Sequence, residues 1–150
     1  MKLAEALQER ADLNKKIEQF KERLRNNCQV QEGEKPAENP TELLAELNDA
    51  VSRLEKLMAQ INLTNCATKV NGTTLTELIA KKDALSIRVQ TLREIIAEAS
   101  RTVYRARGSE IKILPAMDVV ALQKTADSLA KELRLCDNLL QETNWKTELL

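Results

Sequence analysis

The sequence predicts an all-α protein: an antiparallel up-down-up-down four-helix bundle made from a duplicated helical hairpin. Three observations carry this reading. Four segments repeat apolar residues in threes and fours, helix-boundary residues separate them, and the chain matches itself at a fixed shift. A strand would need a period of two, which none of the four segments sustains.

In the first segment Leu3, Leu7 (with Ala6), Leu13, Ile17, Phe20 and Leu24 form the seam, with one gap. The second runs through Leu43, Leu47, Ala50, Leu54, Leu57 and Ile61. Its start is marked by Asn39-Pro40-Thr41-Glu42, with Pro near the first helical position and Asn or Thr available as a cap. Leu75, Ile79 (with Leu78), Leu85, Val89, Leu92 and Ile96 make the third. Before it, Asn71-Gly72-Thr73-Thr74 reads as a turn followed by a cap, and Thr74 with Glu77 fits a capping box. The fourth seam is Leu122, Ala126, Leu129, Leu133, Cys136 and Leu140, with Asp118 as its expected cap. Helices of about 25 residues would be about 37 Å long.

A shift of 72 residues lays the first helix on the third: Leu3 on Leu75, Leu13 on Leu85, Ile17 on Val89 and Phe20 on Leu92. A shift of 79 lays the second on the fourth, Pro36-Ala37 meeting Pro115-Ala116 and Thr64-Asn65 meeting Thr143-Asn144. One domain, 1–150, with pseudo-repeats 1–70 and 73–150, is therefore expected.

The 150 residues carry 23 basic and 23 acidic side chains and no histidine. Without histidine, Ser-His-Asp and Cys-His catalysis and histidine-containing metal sites are excluded, and no other catalytic motif is present. No catalytic residue, cofactor or metal is assigned, and the reading leans away from an enzyme. Balanced charge and a single tyrosine argue against nucleic acid as partner. No apolar run approaches a membrane span and the first residues lack a secretory pattern, so a cytoplasmic protein without membrane partners is expected. Three distant cysteines do not suggest a disulfide framework; Cys136 belongs to an apolar stripe, while Cys28 and Cys66 lie near helix ends.

Two places could carry function. The gap in the first seam is filled by Arg10, and the same slot in the third by Lys82. A buried cation must snorkel to solvent or find acceptors. Antiparallel packing would bring Asn62, Asn65, Asp137, Gln141 and Asn144 near them. The result would be a polar layer that fixes helix register, or a small-anion site. The second place is the pair of long connections. Residues 28–50 hold six acids against one base, Glu32 and Glu34 among them. Residues 101–112 hold four bases, Arg101, Arg105, Arg107 and Lys112, against one acid, with Tyr104 among them. Val103, Ile111 and Ile113 alternate with polar residues about Gly108, which makes 101–114 a candidate β-hairpin. Opposite charges at one end of a bundle would pair within the chain or attract a second subunit.

Several short stretches carry a family likeness: Met1-Lys2-Leu3-Ala4-Glu5-Ala6-Leu7, Gln31-Glu32-Gly33-Glu34, Ile61-Asn62, Ser109-Glu110-Ile111-Lys112 and Thr143-Asn144-Trp145. Over essentially the whole chain the sequence resembles the septicolysin-like family of small bacterial helical proteins. That resemblance implies no catalytic residues; its name implies a pore-forming cytolysin. The expectation from the residues themselves is an interaction or structural module that binds copies of itself or another helical protein. The rivals are the cytolysin and a ligand binder at the Arg10/Lys82 layer.

Overall fold

The structure is a computed structural model and describes residues 1–101 and 112–150. Four long helices dominate: α1 (Leu3–Asn27), α2 (Pro40–Ala67), α3 (Leu75–Ala99) and α4 (Val119–Lys146). Between α2 and α3 lies a two-stranded antiparallel pair, β1 (Lys69–Val70) and β2 (Thr73–Thr74). The described residues fall into two compact units, 1–74 with 142–150, and 75–141.

In the first unit α1 and α2 run antiparallel, as two crosslinks show. Arg53 grips Glu9 in a two-point ion pair at 2.6 and 2.8 Å, and Arg23 grips Glu38. Between them Ile17, Phe20, Leu43 and Ala50 form the core, with Leu13, Leu24, Leu47 and Leu54 packed against it. These are seam residues, so the narrow apolar face predicted for each helix is the one buried here. Phe20 is 1% exposed, and the cations of Lys16 and Arg23 lie 5.4 and 5.3 Å from its ring centre. Attraction between cation and ring face lets both long side chains cover the aromatic while their charges stay wet.

Asn27 is buried at the last turn of α1, where it donates to the Arg23 carbonyl and accepts from the Glu38 amide. It thereby pins the end of the connection to the helix that began it. Within that connection the Glu34 amide bonds the Gln31 carbonyl, and Gly33 sits at φ +86°, where a side chain would strain the backbone. Helix α2 then starts as predicted: Pro40 is its first residue and the Asn39 side chain accepts from the Thr41 amide at 3.0 Å. Asp118 caps α4 by accepting from the Ala121 amide at 3.0 Å.

The small hairpin is where the structure departs from the expected strand positions. Asn71 and Gly72 both have positive φ, at 51° and 83°, as a two-residue hairpin turn of the I′ type demands. Asn and Gly are the residues that reach this region cheaply, so the turn folds back tightly enough for Val70 to pair with Thr73. The β-hairpin expected over 101–114 lies for the most part outside the described residues; Arg101 and residues 112–114 are in no strand.

In the second unit Leu75, Leu78, Leu85 and Val89 of α3 and Ala126, Cys136 and Leu140 of α4 are buried. The Cys136 thiol donates to the Leu78 carbonyl at 3.6 Å, a weak bond that suits a small core residue. Ile79, placed in the third seam by its spacing, is 38% exposed instead, and Leu78 is the buried member of that pair. Helices α1 and α3 are both 25 residues long and begin 72 residues apart, while α2 and α4 are both 28 and begin 79 apart.

Candidate functional site

The seven residues of the expected polar layer do not form one group. Arg10, Asn62, Asn65 and Asn144 belong to the first unit, Lys82, Asp137 and Gln141 to the second. Arg10 is exposed, as a cation on an apolar seam must be if it reaches solvent. Asn62 is exposed as well, while Asn65 and Asn144 are half-buried near the C-terminal ends of α2 and α4.

The second unit does assemble an ion pair. Lys82 on α3 approaches Asp137 on α4 at 2.6 Å, with more than a third of each side chain accessible. The Oδ1 atom of Asp137 is itself shielded from solvent, and the Lys82 ammonium is its neighbour. The Lys82 bond holds the Asp137 carboxyl below its ordinary value, partial burial opposes the shift, and Gln141 assists it. One turn away Lys81 meets Glu132 at 2.8 Å, and that bond raises the Lys81 pKa. Two adjacent lysines thus each have a carboxylate on the neighbouring helix. The cation at the seam gap is matched by an anion of this chain.

The connection residues are placed only in part. Glu32 and Glu34 are exposed in the first connection. Arg101 is exposed and pairs with Glu98 at 3.3 Å, and Lys112 is exposed. Tyr104, Arg105 and Arg107 lie outside the described residues. Among the described residues no three cysteine or acidic side chains gather in a metal-binding group.

One polar assembly was missed at the sequence level. Residues 1–3 and 147–149 pair as a short antiparallel bridge, with the Leu3 amide bonding the Thr147 carbonyl and the Leu149 amide bonding the Met1 carbonyl, both at 2.9 Å. Lys2 meets Glu148 at 2.5 Å, which together with the amino group of Met1 lowers the Glu148 pKa. Leu150 continues onto α2: its amide donates to the Thr64 hydroxyl and its carbonyl accepts from Gln60. Thr64 is 1% exposed and its hydroxyl donates a hydrogen bond to the Gln60 carbonyl while accepting from the Leu150 amide, so the buried hydroxyl is fully used. The matched Thr-Asn pairs were the available signal, since Thr64 and Thr143 are both buried. The bridge itself left no signal, because its partners stand at opposite ends of the sequence.

The fold and these sites define a mostly helical protein in which ion pairs tie neighbouring helices together, Glu9 to Arg53 in the first unit and Lys82 to Asp137 in the second. The chain matches the family of unknown function DUF6847 over residues 10–149, and it belongs to that family. It is also similar to a protein of known crystal structure, a functionally unknown conserved protein from Corynebacterium diphtheriae. The two share 36% identity with a TM-score of 0.94, covering 100% of this chain and 99% of that one. No curated protein matches. These matches correct the septicolysin-like resemblance: the family found is a different one, and the short peptides that suggested the other were too few to define it. With the septicolysin-like name goes the one motive for the lytic rival. No helix among the described residues is long and apolar enough to cross a membrane.

Proposed function

We propose that this protein is an interaction module that associates with copies of itself through outward apolar faces of its helices. One observation carries the reading. Large aliphatic side chains stay exposed at helical spacing: Leu44, Val51 and Met58, seven residues apart on α2, and Ile87 on α3. They stand beside a buried seam that already serves the core, so α2 has more apolar surface than its own hairpin uses. Scattered exposed leucines are ordinary, but a repeat of seven along one helix suits a second helix. The same reading takes the chain as a duplicated hairpin closing into an up-down-up-down bundle. The paired helix lengths and the 72- and 79-residue offsets support it.

The test is the mass of the native protein in solution over a range of concentrations, by light scattering after size exclusion or by sedimentation. An increase in mass with concentration is expected. A monomer at every concentration overturns the reading.

A further inference from the structure

Helix α3 carries a second seam. Its buried residues, Leu75, Leu78, Leu85 and Val89, take one side. On the opposite side Ala80, Ala84, Ile87 and Thr91 follow one another at intervals of four, three and four, all of them exposed, with Ile87 at 67%. The residues 72 positions earlier, on α1, are Gln8, Asp12, Lys15 and Gln19. An ordinary solvated helix face looks like that set. On α3 the same positions have lost every charge and gained an isoleucine at the centre, with small residues that let a partner helix come close.

The flanks of this face say what the partner is. Asp83 borders it on one side and Arg88 on the other; both are exposed and neither pairs with a described residue. Lys81, on the same flank as Arg88, is occupied by Glu132. Asp83 and Arg88 stand five residues apart, the stagger at which opposite flanks of two parallel paired helices meet. In a parallel pair Asp83 of one copy faces Arg88 of the other, and two-fold symmetry makes the contact twice. An antiparallel pair would set like flank against like flank. The face is complementary to itself in one orientation.

We infer that the Ala80–Ala84–Ile87–Thr91 face of α3 is a parallel, two-fold self-association seam for a second copy of this chain, oriented by Asp83–Arg88 pairs. The inference rests on the self-association reading and specifies its surface. The seam is only about three turns long, at the small end of specific interfaces, so the dimer is weak and concentration-dependent.

Sedimentation velocity of the full chain tests it. Wild type is expected to dimerise with concentration, and Ile87→Glu to remain monomeric with unchanged helicity and melting temperature, since Ile87 lies outside the core. Asp83→Arg or Arg88→Asp alone is expected to weaken the dimer roughly three- to tenfold, and the two together to restore it. In a Cys28→Ser, Cys66→Ser background, Ala80→Cys is expected to form a symmetric intermolecular disulfide, which an antiparallel pair would not permit. Lys15→Glu on α1 is the control and should change nothing. A wild-type monomer overturns both this seam and the proposed function. A dimer that survives Ile87→Glu overturns the seam alone, and failure of the double charge reversal to restore pairing overturns the parallel orientation.

Discussion

Lys82 shows how the fold answers a cation placed on an apolar seam. A lysine in an apolar seam signals a liability, and Asp137 discharges it across the helix pair at 2.6 Å. Because the folded pKa of Asp137 is depressed, its contribution to stability is full above the ordinary aspartate value of 3.8 and is lost as pH falls through the lower folded value. Acid titration of Asp137→Asn is therefore expected to show a shallower loss of stability below about pH 4 than wild type. A profile parallel to wild type would remove the pair from the account. Phe20 belongs to the same scale. Its ring is the largest fully buried side chain among the described residues, and Phe20→Ala is expected to cost about 3–5 kcal/mol in denaturant unfolding. Its place in the seam was legible from spacing. The two cations beside it were not, because Lys16 and Arg23 look like ordinary surface charge until the rotamers are known.

Among the elements, starts and stops were written locally and therefore readable. Asn39 and Asp118 cap the helices their positions announced, since a cap needs only an oxygen within three residues of a free amide. Asn39→Ala is expected to lower stability by about 1 kcal/mol in thermal unfolding, with Asn39→Gly close to wild type. The Asn71-Gly72 turn was visible, but the two strands it joins were not. Two-residue strands have no room to display an alternating pattern, and only the positive φ at both turn residues closes them. Gly72→Ala places a side chain at φ +83° and is expected to cost about 1 kcal/mol, measured by the same unfolding curve, although nothing crowds the added methyl group.

At the scale of the molecule, the pairing of residues 1–3 with 147–149 and the hold of Leu150 on Thr64 join segments more than 80 residues apart. Contacts of such separation impose order on chain ends that are otherwise free to fray. Hydrogen exchange is the direct measurement: the Leu3 and Leu149 amides are expected to be protected in wild type and to exchange faster in Thr64→Val, which removes the hydroxyl that receives Leu150. Equal exchange in both proteins would show that Thr64 contributes nothing to the clasp. The proposed association between copies belongs to this scale too, and sedimentation over a range of concentrations measures it.

What the sequence determined by itself had a short range: four helices from their apolar rhythm, two caps, a tight turn, and the burial of Cys136 and of the seam residues around Phe20. Each depends on neighbours within a few positions, and a helix repeats its environment every 3.6 residues. Tertiary structure decided the rest. It divided the seven polar-layer residues between two compact units, gave Lys82 an acid of its own, left Arg10 in solvent and closed the chain ends on each other. Those outcomes turn on which side chains distant in sequence come within about 3 Å, a distance no local pattern encodes.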